Sequence, residues 1–239
     1  MATESEKEIL RKEICVVSLC YNEIELLPMF YRWIKQFASS WIVLDHGSND
    51  GSIEFLWRMK DRKEMDITVS VQPSDNFFGS FWGEQNKVIA MANRNWTFKL
   101  APDELPTPDI FKVVDVIINQ KVLIWLWRIQ LCNLYPLKER NSAWYPLLFP
   151  TEWKIQLINS GGVHQAEIPK PDSPSIYWEK SHVWHIGECR NFLKVREKEV
   201  SYEKLGQTEM TSKWNADNKA QYISESKDYT DTRIYELLI

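Results

Sequence analysis

The stretch Ile14–Phe37, ICVVSLCYNEIELLPMFYRWIKQF, decides the fold. Its opening, Ile14 to Leu19, is an apolar, β-branched run of the length of one strand. Cys20-Tyr21-Asn22-Glu23 is a polar turn, after which Leu26, Leu27, Phe30, Trp33, Ile34 and Phe37 recur at helical spacing. The unit reads strand, loop, helix, and it repeats. Trp41 to Leu44 is a second apolar run, ending in Asp45-His46-Gly47-Ser48-Asn49-Asp50-Gly51 and followed by a helix marked by Ile53, Phe55, Leu56 and Met59. Ile67 to Val71 reads as a third strand and Gly83 to Ala92 as a helix. Trp96 to Leu100 is a fourth strand, ending at Ala101-Pro102-Asp103-Glu104.

Strands alternating with helices at this spacing imply parallel βαβ units and a sheet covered on both faces. Ligands of such sheets bind outside the carboxyl ends of the strands. The polar clusters Asn22/Glu23, Asp45 to Asp50 and Asp103/Glu104 all fall at those ends, so they should converge on one crevice. The chain carries neither GxGxxG after its first strand nor GxxxxGK[ST] anywhere, so no glycine-rich loop is available to cradle a phosphate. A divalent cation held by carboxylates is the usual substitute.

Beyond Glu104 the pattern changes. Pro108 to Gln120 reads as a helix, Val122 to Gln130 as a strand, and Tyr145 to Phe149 and Lys154 to Ile158 as short strands. Gly161-Gly162 turns the chain before Val163-His164, a Pro-rich loop precedes a strand at Ser181 to Ile186, and the polar chain from Phe192 onward is expected to be helical. The expected architecture is an α/β core with a mostly parallel sheet, a mixed-sheet extension and a C-terminal helical appendage over 191–239.

Composition bounds the function. A chain of 239 residues, 44% hydrophobic and 26% charged, suits one compact domain, alone or with a small appendage, and argues against disorder as its main state. A net charge of −4 disfavours the broad electrostatic footprint of a nucleic-acid binder. The longest purely apolar run, Val122 to Trp127, is far short of the ~20 residues of a membrane helix. The four cysteines are scattered and the first thirteen residues are rich in Glu, Lys and Arg, so reduced thiols in the cytoplasm are expected. Twelve tryptophans are many. Trp82, Trp125, Trp127, Trp144, Trp178 and Trp184 lie near the expected pocket segments, where flat rings stack on sugars and bases as readily as they fill a core.

Ordered blocks now carry a resemblance: VVSLCYNE (16–23), IVLDHGSNDGS (42–52), FFGSFWGEQNKVIAMANRNW (77–96) running into FKLAPDEL (98–105), YPLLF (145–149), GGVHQ (161–165) and HVWHIG (182–187). In this order they resemble the family-2 glycosyltransferases of GT-A fold, the small bacterial and phage type related to lipopolysaccharide-core sugar transferases. The resemblance implies a Rossmann-like domain over 1–190, with its nucleotide-binding half at about 14–105 and its acceptor half at about 106–190. It also implies a nucleotide-sugar donor such as a UDP-hexose, Mn²⁺ or Mg²⁺, and transfer with inversion to an acceptor hydroxyl. A leaving diphosphate needs its charge neutralised by a Lewis acid, and the acceptor needs a base on the opposite side of the sugar.

Carried over residue by residue, the resemblance makes Asp103 the metal ligand and a catalytic residue. The family's first aspartate is replaced by Ala101, so either Glu104, His185 and the diphosphate complete the shell or the protein binds metal poorly. Asp45 stands where a carboxylate meets the base or ribose, within a loop that includes Gly47, and Asp50 where one pins the loop. His46 replaces a second acid. Asn22, Glu23 and Asn86 match further donor-contacting positions, with Gln85 in place of a usual arginine. His164 belongs to a Val-His-Glu block whose glutamate is Gln165 here, leaving Glu167, if the segment is extended, as a candidate base. His182-x-x-His185-x-x-x-Cys189 is a low-specificity zinc pattern. Two other readings compete: an eroded transferase retained as a carbohydrate- or nucleotide-binding module, and a phage DNA-modifying glucosyltransferase.

Overall fold

The computed structural model describes residues 2–73, 81–134, 137–156, 158–159, 166–167, 174–189, 227–228, 231 and 233–234. The βαβ reading holds through the first hundred residues. Strands β1 (Ile14–Cys20), β2 (Ser40–Asp45), β3 (Asp66–Val71) and β4 (Trp96–Lys99) lie parallel in the order β3-β2-β1-β4. All seven residues of β1 and all six of β2 are buried, as expected of a strand covered on both faces. β3, at the sheet edge, alternates instead.

A helix absent from the sequence reading, α1 (Glu4–Glu13), precedes β1. Its start is a capping box, in which the Thr3 hydroxyl accepts from the Glu6 N–H while the Glu6 carboxylate takes the Thr3 N–H. Helices α2 (Leu27–Ile34) and α3 (Ser52–Asp61) pack with α1 on one face, where Phe30, Phe37, Trp41, Leu56 and Phe98 form the main core. Helix α4 (Phe81–Ala90) lies on the other face, its Val88 and Ile89 against Cys15, Val17 and Ile42.

The second half is a mixed sheet built on β4. Strand β5 (Glu104–Pro106) occupies what was expected to be loop. The expected helix at 108–120 is a 3₁₀ turn, Pro108–Val113, running into α5 (Val114–Asn119). Long strands β6 (Leu123–Leu134) and β7 (Leu137–Pro150) follow. Expected short strands give way in two ways: Tyr145 to Phe149 is the end of β7, and Lys154, with φ of 46°, closes a 3₁₀ turn at Thr151–Trp153. A two-strand ribbon pairs β8 (Ile158–Asn159) with β9 (Ala166–Glu167), and β10 (Ser175–His185) returns to the main sheet. The order continues β4-β7-β6-β10-β5, with β6 and β10 parallel and the other pairs antiparallel.

Most of 191–239, including its expected helix, lies outside the described residues. Those that are described tie back to the domain. β11 (Lys227–Asp228) adds to β7, Ile234 is fully buried, and Arg233 bonds Asp109 and Asp231. No helix among the described residues is long and apolar enough to cross a membrane.

Candidate active site

Two loops at the strand tips are fastened to each other by short polar side chains. The Asn22 N–H donates to Ser48 Oγ (2.8 Å), and the Ser48 hydroxyl donates to Asp45 Oδ2 (2.7 Å). Alongside, the Glu23 N–H donates to Ser52 Oγ (2.9 Å), whose hydroxyl donates to Asp50 Oδ1 (2.6 Å). The two relays have the same form: backbone amide of the first loop, serine hydroxyl, aspartate of the second. Asp45 also accepts from the N–H groups of Gly47 and Ser48. Asp50 accepts from those of Ser52 and Ile24, and Asn22 Oδ1 takes the Asn49 N–H. Asn22 has φ of 54°, in the left-handed region that asparagine tolerates. Gly47, with φ of 83°, lies so close to Pro73 that a Cβ would sit 3.2 Å from its Cα. Ser48 and Ser52 went unread in the sequence; the signal was a serine two or three residues after or beside each aspartate.

The structure thus gives Asp45 a local duty. Its carboxylate already accepts three hydrogen bonds, close to the four that it can take, and is fully buried. Next to it His46 is buried, and burial pushes its imidazole down to about 4 against the pull of Glu84 and Asp45, so the ring is neutral at pH 7. Gln85 is buried on α4 and Asn86 half-buried beside it.

The third loop is held differently. The Ser18 hydroxyl donates to the Leu100 carbonyl, and Trp41 Nε1–H to that hydroxyl. Past Ala101-Pro102 the chain enters β5, which pairs His185 with Glu104, and the Ile186 N–H donates to the Asp103 carbonyl at 2.9 Å. Asp103 Oδ2 and His185 Nε2 therefore stand 3.4 Å apart, both side chains nearly buried. A Cβ on Gly187 would lie 2.5 Å from that carboxylate oxygen and 3.4 Å from His185 Cε1, so only glycine leaves the pair its space. His185 Nδ1 is buried with no hydrogen-bond partner among the described residues.

Glu104 is engaged through both carboxylate oxygens. Its Oε1 lies 3.0 Å from Arg128 Nε and its Oε2 accepts the Ala101 N–H, while the Arg128 guanidinium also covers the Tyr145 ring. Lys99 lies close to both, and burial holds its ammonium below its usual range. A carboxylate so engaged shapes the loop and the local field.

Of the expected residues, Asn22, Glu23, Asp45, Gly47 and Asp50 form one linked group, and Asp103, Glu104 and His185 another, one strand tip away. Glu167 lies on the ribbon, paired with Ile158, outside the main sheet; His164 lies outside the described residues. The zinc pattern disperses, since His182 faces Asp231, His185 faces Asp103 and Cys189 Sγ donates to the Leu131 carbonyl. Among the described residues no three His, Cys, Asp or Glu side chains cluster as a metal site.

No protein-family model and no curated protein matches the chain. Solved structures do. TarS residues 1–349 from S. aureus is similar over 88% of this chain and 69% of its own, at 12% identity and a TM-score of 0.50. The same protein in complex with UDP-GlcNAc aligns over 89% of this chain and 71% of its own, at 12% identity and 0.46. The mannosyltransferase PcManGT from Pyrobaculum calidifontis, in complex with GDP-Man and Mn²⁺, aligns at 16% identity and 0.40 over 48% of this chain, which spans 35% of it. The likeness to TarS 1–349 speaks for fold alone: this chain has the GT-A fold of nucleotide-sugar transferases, a Rossmann-like parallel sheet continued by a mixed one.

Proposed function

We propose that the chain is an inverting, metal-assisted glycosyltransferase of the family-2 kind, acting in the cytoplasm on a nucleotide-sugar donor, a UDP-hexose, and an acceptor hydroxyl. The observation that carries this reading is the Asp103–His185 pair, 3.4 Å apart at the tip of the sheet and guarded by Gly187. A carboxylate oxygen and a ring nitrogen at that separation fit a divalent cation, with Mn²⁺ suiting the mixed O/N donors better than Mg²⁺. When bound, the cation would neutralise the departing diphosphate as a Lewis acid. With Ala101 in place of a second acid, the protein supplies two donors and leaves the rest of the shell to diphosphate oxygens and water.

The chain's own residues do the positioning. Asp45 and Asp50, through Ser48 and Ser52, hold the first two loops as one wall for the nucleoside, with Asn22, Glu23, Gly47 and Asn86 on or beside it. Glu104 and Arg128 fix the third loop so that Asp103 faces His185. The acceptor's base is assigned to Glu167 or His164. The eroded, binding-only reading draws on Ala101 and on the engagement of Glu104, and it differs in forming no free sugar or glycoside from the donor.

A thermal-shift titration tests the proposal. UDP with Mn²⁺ at ~100 times its Kd should add about 2.7 kcal/mol, or roughly 5–10 °C for a chain of this size. Asp103→Asn should lose the metal-dependent part, and Gly187→Ala should lose it too by displacing the Asp103 carboxylate. Absence of any shift across UDP, GDP and other nucleoside diphosphates, with or without manganese, would sink the reading.

A further inference from the structure

The mixed half carries an aromatic ladder that the candidate site does not use. Trp125 on β6 pairs with Tyr177 on β10, and their rings stack at 5.6 Å and 30°. Trp144 on β7 meets Tyr177 edge-on at 5.1 Å and its cross-strand partner Trp127 at 5.2 Å. Four rings thus run without a break across three neighbouring strands. Trp125 packs at the border of the α4-side cluster and Trp127 at that of the main one; among the described residues α4 packs against β1 and β2, and short 3₁₀ turns at Pro108–Val113 and Gly187–Cys189 lie against β10 and β6. Tyr177 is 58% exposed and the three tryptophans are half-buried.

Two fully or nearly buried tryptophans of the parallel half spend their indole N–H groups inside the protein, whereas Trp178 beside the ladder has a buried N–H with no acceptor among the described residues. Trp33 Nε1–H donates to the Pro106 carbonyl and Trp41 Nε1–H to Ser18 Oγ. Those of Trp125, Trp127 and Trp144 have no protein acceptor among the described residues and are not sealed from solvent. Flat rings with unspent donors at their rims match a pyranose, which presents an apolar C–H face bordered by hydroxyls. Position adds a direction. Gln130 pairs with His185, and Trp127 and Trp125 precede Gln130 by three and five residues on the same strand, or ~10 and ~17 Å.

We propose that this face is a carbohydrate-binding platform that holds several sugar rings of a glycan chain, with the chain leading toward the Asp103–His185 tip. Its role as an acceptor track rests on the transferase reading; glycan binding by the ladder does not. The chemistry asked of the ligand is an unbranched run of pyranoses with an exposed apolar face.

The test is affinity electrophoresis of the full chain through native gels containing soluble glucan, mannan or glycol chitin, followed by titration of the matching hexasaccharide against tryptophan fluorescence. At least one polysaccharide should retard the protein. Tyr177→Ala and Trp125→Ala should weaken that binding at least tenfold, Tyr177→Phe should preserve it, and Asp103→Asn should leave it unchanged. If Trp125→Ala fails to fold, Tyr177→Ala decides alone, since its exposed ring supports little else. Absence of retardation by all three polysaccharides overturns the proposal, as does binding that survives Tyr177→Ala. A dimer in light scattering that Tyr177→Ala converts to monomer would also overturn it, assigning the face to a second copy. Glycan binding without any response to nucleotides would defeat the transferase reading and leave the platform standing.

Discussion

Trp41 and Trp125 sit on neighbouring parts of one sheet and live in opposite circumstances. Trp41 is fully buried in the parallel half, its ring against Phe30 and Tyr31 and its N–H on Ser18. Trp125, in the mixed half, stacks on an exposed tyrosine and keeps its N–H for another partner. The difference lies in cover. Helices α1, α2 and α3 close one face of the parallel half and α4 the other, whereas in the mixed half Tyr177 on β10 stays 58% exposed and Trp125, Trp127 and Trp144 half-buried. The same residue type is therefore scaffold where its ring is sealed and contact surface where it is not.

The sharpest way to break that comparison is to truncate one ring in each half. Trp41→Ala should cost about 3–5 kcal/mol, the range for deleting a buried aromatic. Tyr177→Ala should stay within about 0.5 kcal/mol. Urea denaturation of both variants measures this, and comparable losses would mean that the ladder is core after all.

A second contrast is titratable. His46, in the sandwiched half, is neutral because burial lowers its pKa from 6.5 to about 4. Between those values the unfolded chain binds a proton that the folded chain refuses. Stability is therefore complete above about pH 6.5 and falls as the pH drops toward 4. The full loss amounts to about 3 kcal/mol, of which about 2 should appear between pH 6.5 and 5. Comparing wild type with His46→Asn, which cannot titrate, removes the carboxylates' shared contribution. Parallel pH profiles for the two proteins would place His46 in a wetter setting than its 2% exposure indicates.

The parallel half was legible because its strands are unbroken apolar runs and its helices keep a 3.6 period, both consequences of burial on two faces. α1 escaped reading because its helix signal is a capping box with a charged exterior and Leu10 as its one buried residue. The early part of β7 is hard to read because LKERNSAWYP lacks the hydrophobic density of a sandwiched strand. The site was legible as residue types and not as duties. A carboxylate that ties its own loop and one that reads a ribose are the same letter: the loop-pinning expected of Asp50 is seen in its bond to Ser52, but only the bond to Ser48 shows that Asp45 ties the loop as well. Asp103 and His185 lie in blocks at opposite ends of the domain, and the chain places them 3.4 Å apart through the pairing of β5 with β10.

The smallest expected effect asks whether the two relays act as one wall. Asp50→Ala removes the acceptor for the Ile24 and Ser52 amides and for the Ser52 hydroxyl, freeing that serine to turn from the Glu23 N–H. Loss at this partly solvated loop should cost about 1–2 kcal/mol. Ser48→Ala, which breaks the neighbouring relay between Asn22 and Asp45, should cost about 1 kcal/mol. No atom is shared between the relays, yet both fasten the same pair of loops. A wall that gives way as a unit makes the double variant less destabilised than the sum of the singles, because the second relay is already loosened when the first is gone. Strict additivity in a double-mutant cycle would instead make Asp45 and Asp50 two independent staples of the same pair of loops.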